Sequence, residues 1–257
     1  MARTIVIANQ KGGVGKTTLV ANLGAALADL GQKVILVDLD PQGALTAILG
    51  HDPYVLTRTA YTLLTSDAAS PASVLRPVLP NLVLVPASVD LAAIDYLLAD
   101  DPDRALRLKF ALGRSRIPAD YILIDTPPTM GLLTINALAA ARELLIPVQC
   151  QYLAMRGVRG LLEIIWRVHE RLNPSLGLLG VVPTMYQPES NHAQEVVSEL
   201  RAVFEDKVFT PPIPAAEEVA VAPVAHQSVL AYCPGSPAAA AFRTLAETIN
   251  HVHSRSN

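Results

Sequence analysis

The sequence is poor in aromatic residues, in charge and in cysteine. Aromatic residues make up 5% of its 257 residues and charged residues 17%, whereas 51% are hydrophobic. This composition argues against disorder and requires a core built mainly from Ala, Val, Leu and Ile. The only cysteines, Cys150 and Cys233, lack metal-ligand spacing and cannot form a disulfide framework, so we expect free thiols in a reducing compartment. The net charge of −3 gives no overall basic field that would attract nucleic acid or an anionic membrane.

Signals for insertion into a membrane are also missing from the sequence. No apolar run reaches the roughly 18 residues that a membrane span needs, and no charged segment followed by an apolar stretch marks a signal peptide. The last predicted helix offers Phe242, Leu245 and Ile249 but only two arginines, Arg243 and Arg255. A membrane-binding amphipathic helix is richer in basic residues. We therefore expect a packed final helix, no stable membrane anchor and a cytoplasmic protein.

Short apolar runs rich in Val, Ile and Leu alternate with helical stretches along the chain. This alternation predicts an α/β fold, a doubly wound and mostly parallel sheet flanked by helices. The predicted strands cover residues 4–9, 33–38, 82–86, 121–125, 143–148 and 176–183. The predicted helices cover residues 16–30, 89–99, 102–113, 131–141, 153–172, 191–204 and 237–252. Residues 43–80 are less regular and predict short helices, and no linker divides the chain, so we expect a single domain over residues 1–257.

The most specific motif lies between the first predicted strand and the first predicted helix. It consists of Lys11, Gly12, Gly13, Val14, Gly15, Lys16, Thr17 and Thr18. Glycines let successive backbone N–H groups point at one place, and the helix N-terminus adds its dipole, so the segment predicts a P-loop that binds nucleotide phosphates. In such a loop Lys16 reaches the β- and γ-phosphates, and the Thr17 hydroxyl binds Mg²⁺.

Carboxylates stand at the ends of two predicted strands. Asp38 and Asp40 follow the second strand, and Asp125 ends the strand over residues 121–125. Open α/β sheets bind their ligands at this edge, and Asp125 fits the carboxylate that holds Mg²⁺ in P-loop proteins. No Asn-Lys-x-Asp or Thr-Lys-x-Asp sequence follows, which favours ATP over GTP.

The P-loop differs from the general G-x-x-x-x-G-K-[ST] pattern in two ways. Its first position is Gln10 rather than glycine, and a second lysine, Lys11, follows at once. With these features and the run Asp38-Leu39-Asp40-Pro41-Gln42-Gly43, the sequence resembles the deviant Walker A ATPases of the ParA/MinD superfamily. The resemblance to the ParA/Soj type covers nearly the whole chain, including Val148-Gln149-Cys150-Gln151-Tyr152 and Pro183-Thr184-Met185-Tyr186.

The resemblance implies an ATPase that works as a dimerising switch with ATP and Mg²⁺ as its cofactors. It implies that Lys11 crosses the dimer interface to the partner's nucleotide, that Asp40 positions the attacking water, and that Asp38 supports the Mg²⁺ region. It also implies that Met185 and Pro214 approach the adenine. Hydrolysis would be slow and stimulated by a ParB-like or other adaptor protein, in partition or intracellular positioning of DNA or another cargo.

The same fold also supports three other functions. An iron–sulfur reductase needs cysteines near the Asp125 loop, and Asp125-Thr126-Pro127-Pro128 has none. An arsenical-pump ATPase usually repeats the P-loop, which occurs once here. Positioning at a membrane, as in MinD, needs the basic C-terminal helix that the sequence lacks. These remain the alternatives to the positioning switch.

Non-specific DNA binding, which the ParA/Soj resemblance implies, lacks its usual basic residues. The resemblance places arginines where this chain has Glu189, Glu217 and Glu218, and residues 181–230 hold seven acidic residues against two basic ones. DNA binding, and with it association with the nucleoid, would need another surface. One candidate is the helix over residues 153–172, with Arg156, Arg159, Arg167 and Arg171. The other candidate is the group Arg104, Arg107, Lys109, Arg114 and Arg116. Both sets also fit ordinary solvated helix faces.

Overall fold

A seven-stranded sheet forms the centre of the computed structural model, which describes residues 2–114, 117–151 and 154–254. The strands are β1 (Arg3–Ile7), β2 (Val34–Asp38), β3 (Arg76–Leu79), β4 (Leu82–Val85), β5 (Tyr121–Asp125), β6 (Glu143–Gln149) and β7 (Gly177–Thr184). Their order in the sheet is β3-β4-β2-β5-β1-β6-β7. All neighbours pair in parallel except β3 and β4, which pair antiparallel. The predicted fold class is confirmed.

Helices cover both faces of the sheet. In the first half of the chain they are α1 (Lys16–Asp29), α2 (Ala44–Ile48), α3 (Ala60–Thr65), α4 (Ile94–Leu97) and α5 (Arg107–Gly113). In the second half they are α6 (Leu132–Ala140), α7 (Ala154–Arg171), α8 (Asn191–Phe204), α9 (Glu217–Val221), α10 (Val229–Tyr232) and α11 (Pro237–Ser254). None of these helices, within the described ranges, combines the length and apolar character that a bilayer-crossing segment requires.

The central strands are apolar on both sides because helices pack against both faces. Every residue of β2 and β5 is buried. One set of buried residues lies with α6 and α8, and the other lies with α1 and α11. The second set includes Leu36 of β2, which Gly24 of α1 approaches so closely that a Cβ at Gly24 would lie 2.7 Å from its Cδ2.

The structure corrects the prediction at two places. Strand β3 lies in a segment for which only short helices were expected, and its Pro77 is tolerated because β3 is an edge strand. The helices predicted over residues 89–99 and 102–113 are shorter, since each begins as a 3₁₀ turn, Val89–Ala93 and Arg104–Leu106, before α4 and α5.

The register of the sheet brings the predicted site together. Asp38 at the end of β2 pairs with Asp125 at the end of β5, and Ile7 of β1 pairs with the same Asp125. The loop that follows β1 leads into α1. The P-loop and both carboxylate segments therefore lie at the carboxyl edge of adjacent parallel strands, where open α/β sheets bind ligands.

Candidate nucleotide-binding site

The loop between β1 and α1 has the backbone of a phosphate cradle. Gly13 and Gly15 have φ values of 72° and 87°, which side chains other than glycine rarely adopt. Gly15 directly precedes the first residue of α1, so the free N–H groups of the first helical turn face the loop. The sequence predicted this arrangement because two of the glycines stand where the chain must turn left-handed.

Three side chains anchor the loop from neighbouring strands. Asn9 Nδ2 donates to the Pro147 carbonyl at 2.7 Å, and Asn9 Oδ1 accepts from the Lys11 backbone N–H at 3.0 Å. Thr184 Oγ1 at the end of β7 donates to the Val14 carbonyl at 2.9 Å, and Thr126 Oγ1 donates to the Ile7 carbonyl at 2.8 Å. The loop is thus held from β6 and β7, while Thr126 fixes the end of β1 that leads into it. This support limits the reorganisation that phosphate binding requires.

The ammonium of Lys16 lies inside this loop. Its side chain is 7% exposed, and its Nζ donates to the Lys11 carbonyl at 3.3 Å. Burial lowers the pKa of Lys16, while the carboxylates of Asp125 and Asp40 act in the opposite direction. A buried cation with one carbonyl partner is well suited to an incoming phosphate, which would supply charge-assisted hydrogen bonds.

Asp125 and Thr17 form the part of the site that fits a magnesium ion. Thr17 Oγ1 donates to Asp125 Oδ2 at 2.7 Å. Asp125 Oδ1 is buried without a partner, and it is the one such side-chain atom among the described residues. Burial raises the pKa of Asp125 well above its usual range, and the charges of Asp38 and Asp40 raise it further. An orphaned carboxylate oxygen beside a hydroxyl matches the oxygen ligands of Mg²⁺, directly or through its water.

Asp38 is fully buried, and the protein itself satisfies both of its oxygens. Oδ2 accepts from the Thr46 N–H at 2.9 Å and from Thr46 Oγ1 at 2.7 Å, while Oδ1 accepts from the Asp40 N–H at 3.1 Å. Burial raises the pKa of Asp38 to about 6. Asp38 therefore holds the segment that carries Asp40, and its predicted support of the Mg²⁺ region stays a prediction.

Lys11, the second lysine of the loop, is exposed. Its Nζ donates to Gln149 Oε1 at 2.9 Å, across 138 residues of sequence. Gln149 ends β6 and is half-buried. Within the single chain, the Lys11 side chain thus contacts the end of β6.

A cleft of about 340 Å³ continues from the first turn of α1. Met185 and Pro214, the predicted adenine contacts, both line it, together with Thr18 of the P-loop. The sequence did not predict three further lining residues, Leu19, Val219 and Phe242. Phe242 was expected only as a packing residue of the last helix, because nothing in the local sequence says that α11 reaches α1.

The two basic groups considered for DNA differ in the structure. Arg107 is half-buried and pairs with Asp67 at 2.8 Å and Asp101 at 3.5 Å, so it holds loops together. Arg104 donates to the Ala99 carbonyl at 3.1 Å. On α7, Arg167 and Arg171 are exposed. Arg116 and the side chains of Arg156 and Arg159 lie outside the described residues.

The fold and the site define the class of P-loop nucleotide-binding proteins, with a second lysine in the loop and a carboxylate at the end of each of two adjacent strands. Comparisons with known proteins agree. A family model described as an AAA domain matches residues 2–178. The chromosome-partitioning ATPase Soj of Treponema pallidum is 42% identical over 251 residues, 97% of this chain and 97% of that protein. The chain belongs to the ParA/Soj family.

Solved structures show the same relationship. The Mycobacterium smegmatis protein named cobyrinic acid a,c-diamide synthase, with a bound ATP analogue and magnesium, has a TM-score of 0.88 and 37% identity over 100% of this chain and 98% of that one. Apo McdA of Cyanothece has a TM-score of 0.85 and 27% identity over 97% of this chain and 100% of that one. The resemblance to the ParA/Soj type inferred from the motifs is confirmed.

Proposed function

We propose that this protein is a Mg²⁺-dependent ATPase of ParA type, a dimerising switch in partition or intracellular positioning of DNA or another cargo. The observation that carries the proposal is the unpartnered Asp125 Oδ1 beside Thr17, at the mouth of a formed P-loop. The partitioning ATPase Soj and McdA as relatives, and the ATP analogue and magnesium bound by the M. smegmatis protein, support it.

The proposed roles follow from where the side chains lie. Lys16 and the backbone N–H groups of residues 12–18 hold the phosphates, and Thr17 and Asp125 hold Mg²⁺. Mg²⁺ supplies charge neutralisation between the phosphates when it is bound. Asp40, tied by its backbone to Asp38, orients the attacking water. Met185 and Pro214 contact the adenine.

We propose that ATP binding causes the protein to dimerise. Proteins of the ParA/Soj family are ATP-dependent dimers that act with partners, and Lys11 is the exposed cation suited to reach a nucleotide on a second copy. A ParB-like or other adaptor would then stimulate hydrolysis and release the dimer. We place the cycle in the cytoplasm, and non-specific DNA, if it is the track, would contact the exposed arginines of α7.

The name of the M. smegmatis protein raises amide synthesis as a second activity. Ammonia for such a reaction commonly comes from glutamine through a cysteine thiolate. Cys150 does not suit that role, because it is buried and burial raises the pKa of its thiol to about 11. An amide synthase would also release phosphate only with a carboxylic acid substrate, whereas the switch hydrolyses ATP by itself.

The test compares Asp125→Asn with Asp120→Asn, which changes an exposed aspartate next to the same strand. Wild type and Asp120→Asn should hydrolyse ATP with Mg²⁺ and bind it more tightly with Mg²⁺ than with EDTA. Asp125→Asn should lose both effects. Its thermal stability without nucleotide should rise, because the pKa of Asp125 is raised and its charge is therefore unfavourable at neutral pH. A wild type that releases no phosphate from ATP without a second substrate would refute the proposed function.

A further inference from the structure

Thr46, a buried threonine on α2, makes two hydrogen bonds to Asp38 at the start of the segment that carries Asp40. Thr46 is 0% exposed and directs both its N–H and its hydroxyl at Asp38 Oδ2. Its hydroxyl also accepts a hydrogen bond from the Ala87 N–H, just after β4, at 2.9 Å. The hydroxyl is therefore both a donor to Asp38 and an acceptor from Ala87.

Asp38, held by Thr46, in turn restrains the backbone at Asp40. The other oxygen of Asp38 accepts from the Asp40 N–H, and Asp40 in turn accepts from the Gln42 N–H at 3.0 Å. The Asp40 carbonyl accepts from the Gly43 N–H at 2.8 Å, which turns the chain back into α2. The segment is thus a closed loop whose two ends, Asp38 and Thr46, are bonded to each other.

We propose that Thr46 is a positioning residue for hydrolysis, which fixes Asp38 and through it the backbone at Asp40, the group that orients water in the proposed function. Among the described residues, the Thr46 side chain bonds to Asp38 and Ala87, and it does not line the cleft formed with Met185 and Pro214. It therefore acts on the hydrolytic step and not on ATP affinity. Positioning matters because the partners of an active-site carboxylate change activity by roughly 10- to 100-fold when they are lost.

The deciding variant is Thr46→Val, which keeps the shape of the side chain and removes its hydroxyl. The single-turnover rate of ATP hydrolysis should fall roughly 10- to 100-fold, while the Kd of a fluorescent ATP analogue stays close to wild type. Thr46→Ser restores both hydrogen bonds and should recover the rate. Thr59→Val is the matched control, because Thr59 is also buried and bonds to Ser88 at 3.2 Å. The control should lower the thermal stability and leave the rate unchanged.

Hydrogen exchange gives a readout that does not depend on ATP hydrolysis. Thr46→Val should speed amide exchange in residues 38–43, and Thr59→Val should not. If Thr46→Val does not fold, Thr46→Cys, whose thiol is a weak donor, replaces it in every comparison. Unchanged exchange in residues 38–43, an unchanged rate, or rate losses that only follow thermal stability in both variants would overturn the inference. A wild type without ATPase activity would instead refute the proposed function, while the exchange result still decides the role of Thr46.

Discussion

At the scale of single residues, the Lys11 ammonium contacts Gln149 in the described part of the chain and is proposed to contact a nucleotide on a second copy in the dimer. Its hydrogen bond to Gln149 joins an exposed charge to a neutral amide, a contact that water weakens. The phosphates of a nucleotide on a second copy would offer a charged acceptor and stronger hydrogen bonds. In the proposed dimer, Lys11 would therefore exchange a weak contact for a strong one when ATP is bound, and ADP, with one phosphate fewer, would offer less.

The change Lys11→Ala tests this exchange. We expect the variant to bind ATP nearly as well as wild type, because Lys16 and the loop backbone remain, but to stay monomeric with ATP and Mg²⁺. Size-exclusion chromatography with light scattering measures the mass. The matched control is Lys33→Ala, which removes another exposed lysine. A Lys11→Ala protein that still dimerises with ATP would show that Lys11 has no role across the interface.

The change Asp40→Ala should separate binding from hydrolysis. Without the carboxylate that orients water, the variant should bind ATP, dimerise and hydrolyse it far more slowly, by roughly 10²-fold or more. Lys16→Ala, in contrast, should fail to bind ATP, because it removes the buried cation of the phosphate loop. Equilibrium binding and phosphate release measure the two effects. Normal turnover in Asp40→Ala would mean that another group orients the attacking water.

The sequence predicted the location of those site residues that belong to short motifs. The P-loop and the carboxylates at strand ends carry their chemistry in short segments, and the parallel sheet aligns Asp38 with Asp125 once both strands are recognised. The contacts of Lys11 with Gln149 and of Thr46 with Ala87 were not predictable, because each joins segments far apart in sequence. Nothing local distinguishes Thr46 from a surface threonine.

At the scale of elements, Gly180 allows the segment after α8 to pack closely against β7. The segment that follows α8 lies along β7, with a bridge between Val181 and Val208 and a hydrogen bond from the Phe209 N–H to the Val181 carbonyl at 2.9 Å. A Cβ at Gly180 would lie 2.5 Å from the Lys207 carbonyl oxygen and 2.6 Å from the Phe209 ring. Glycine is required at this position because a backbone atom occupies the space.

The change Gly180→Ala should therefore lower the free energy of unfolding by about 1–3 kcal/mol, the usual cost of forcing atoms into a packed interior. Gly177→Ala is the control in the same strand, where an added Cβ meets nothing within 4 Å. Thermal or denaturant unfolding compares the two. Equal stabilities for both variants would mean that the segment after α8 moves away without cost.

Strands were predicted better than short helices for a physical reason. A parallel strand buried on both faces is a continuous apolar run, as in β2 and β5, and such runs stand out. The edge strand β3 alternates half-buried and exposed residues around a proline, so its pairing depends on β4 and not on its own composition. Helices α4 and α5 are short, with four and seven residues, so they offer little periodic pattern from which to predict their bounds.

At the scale of the whole molecule, charge is distributed unevenly over the surface. Exposed acids just before and on α8, among them Glu189, Glu195 and Glu199, face solvent, and residues 181–230 contain only Arg201 and Lys207 as lysine or arginine. Carboxylates repel the phosphates of DNA, and each lost basic contact reduces the slope of log affinity against log salt by about 0.9. We therefore expect weaker non-specific DNA binding than Soj relatives show at equal salt.

We favour the exposed arginines of α7 for DNA contact, because Arg107 of the other basic group pairs with Asp67 and Asp101. Arg104, Lys109 and Arg114 of that group are also exposed. The double change Arg167→Glu and Arg171→Glu should abolish an ATP-dependent, salt-sensitive mobility shift at about 50 mM salt, where phosphate contacts are strong. The charge-matched control variant, Arg104→Glu with Lys109→Glu, should retain the mobility shift, because these residues belong to α5 and the 3₁₀ turn before it rather than to α7. Tight binding that survives the α7 change would assign DNA to a different surface. A wild type that shows no ATP-dependent shift would mean that DNA is not the track.

The cleft beside the phosphate loop joins residues from early and late parts of the chain. Gly15 and Thr18 leave the ribosome among the first lining residues, and Phe242 of α11 leaves it last. The same helix is tied to β1 by the hydrogen bond from the Arg3 guanidinium to the Ile249 carbonyl at 2.5 Å. A growing chain therefore contains its phosphate loop long before it contains Phe242, which lines the cleft proposed for the adenine. We therefore expect full nucleotide affinity, and with it the proposed ATP-dependent dimerisation, only in chains whose helix α11 has packed against α1.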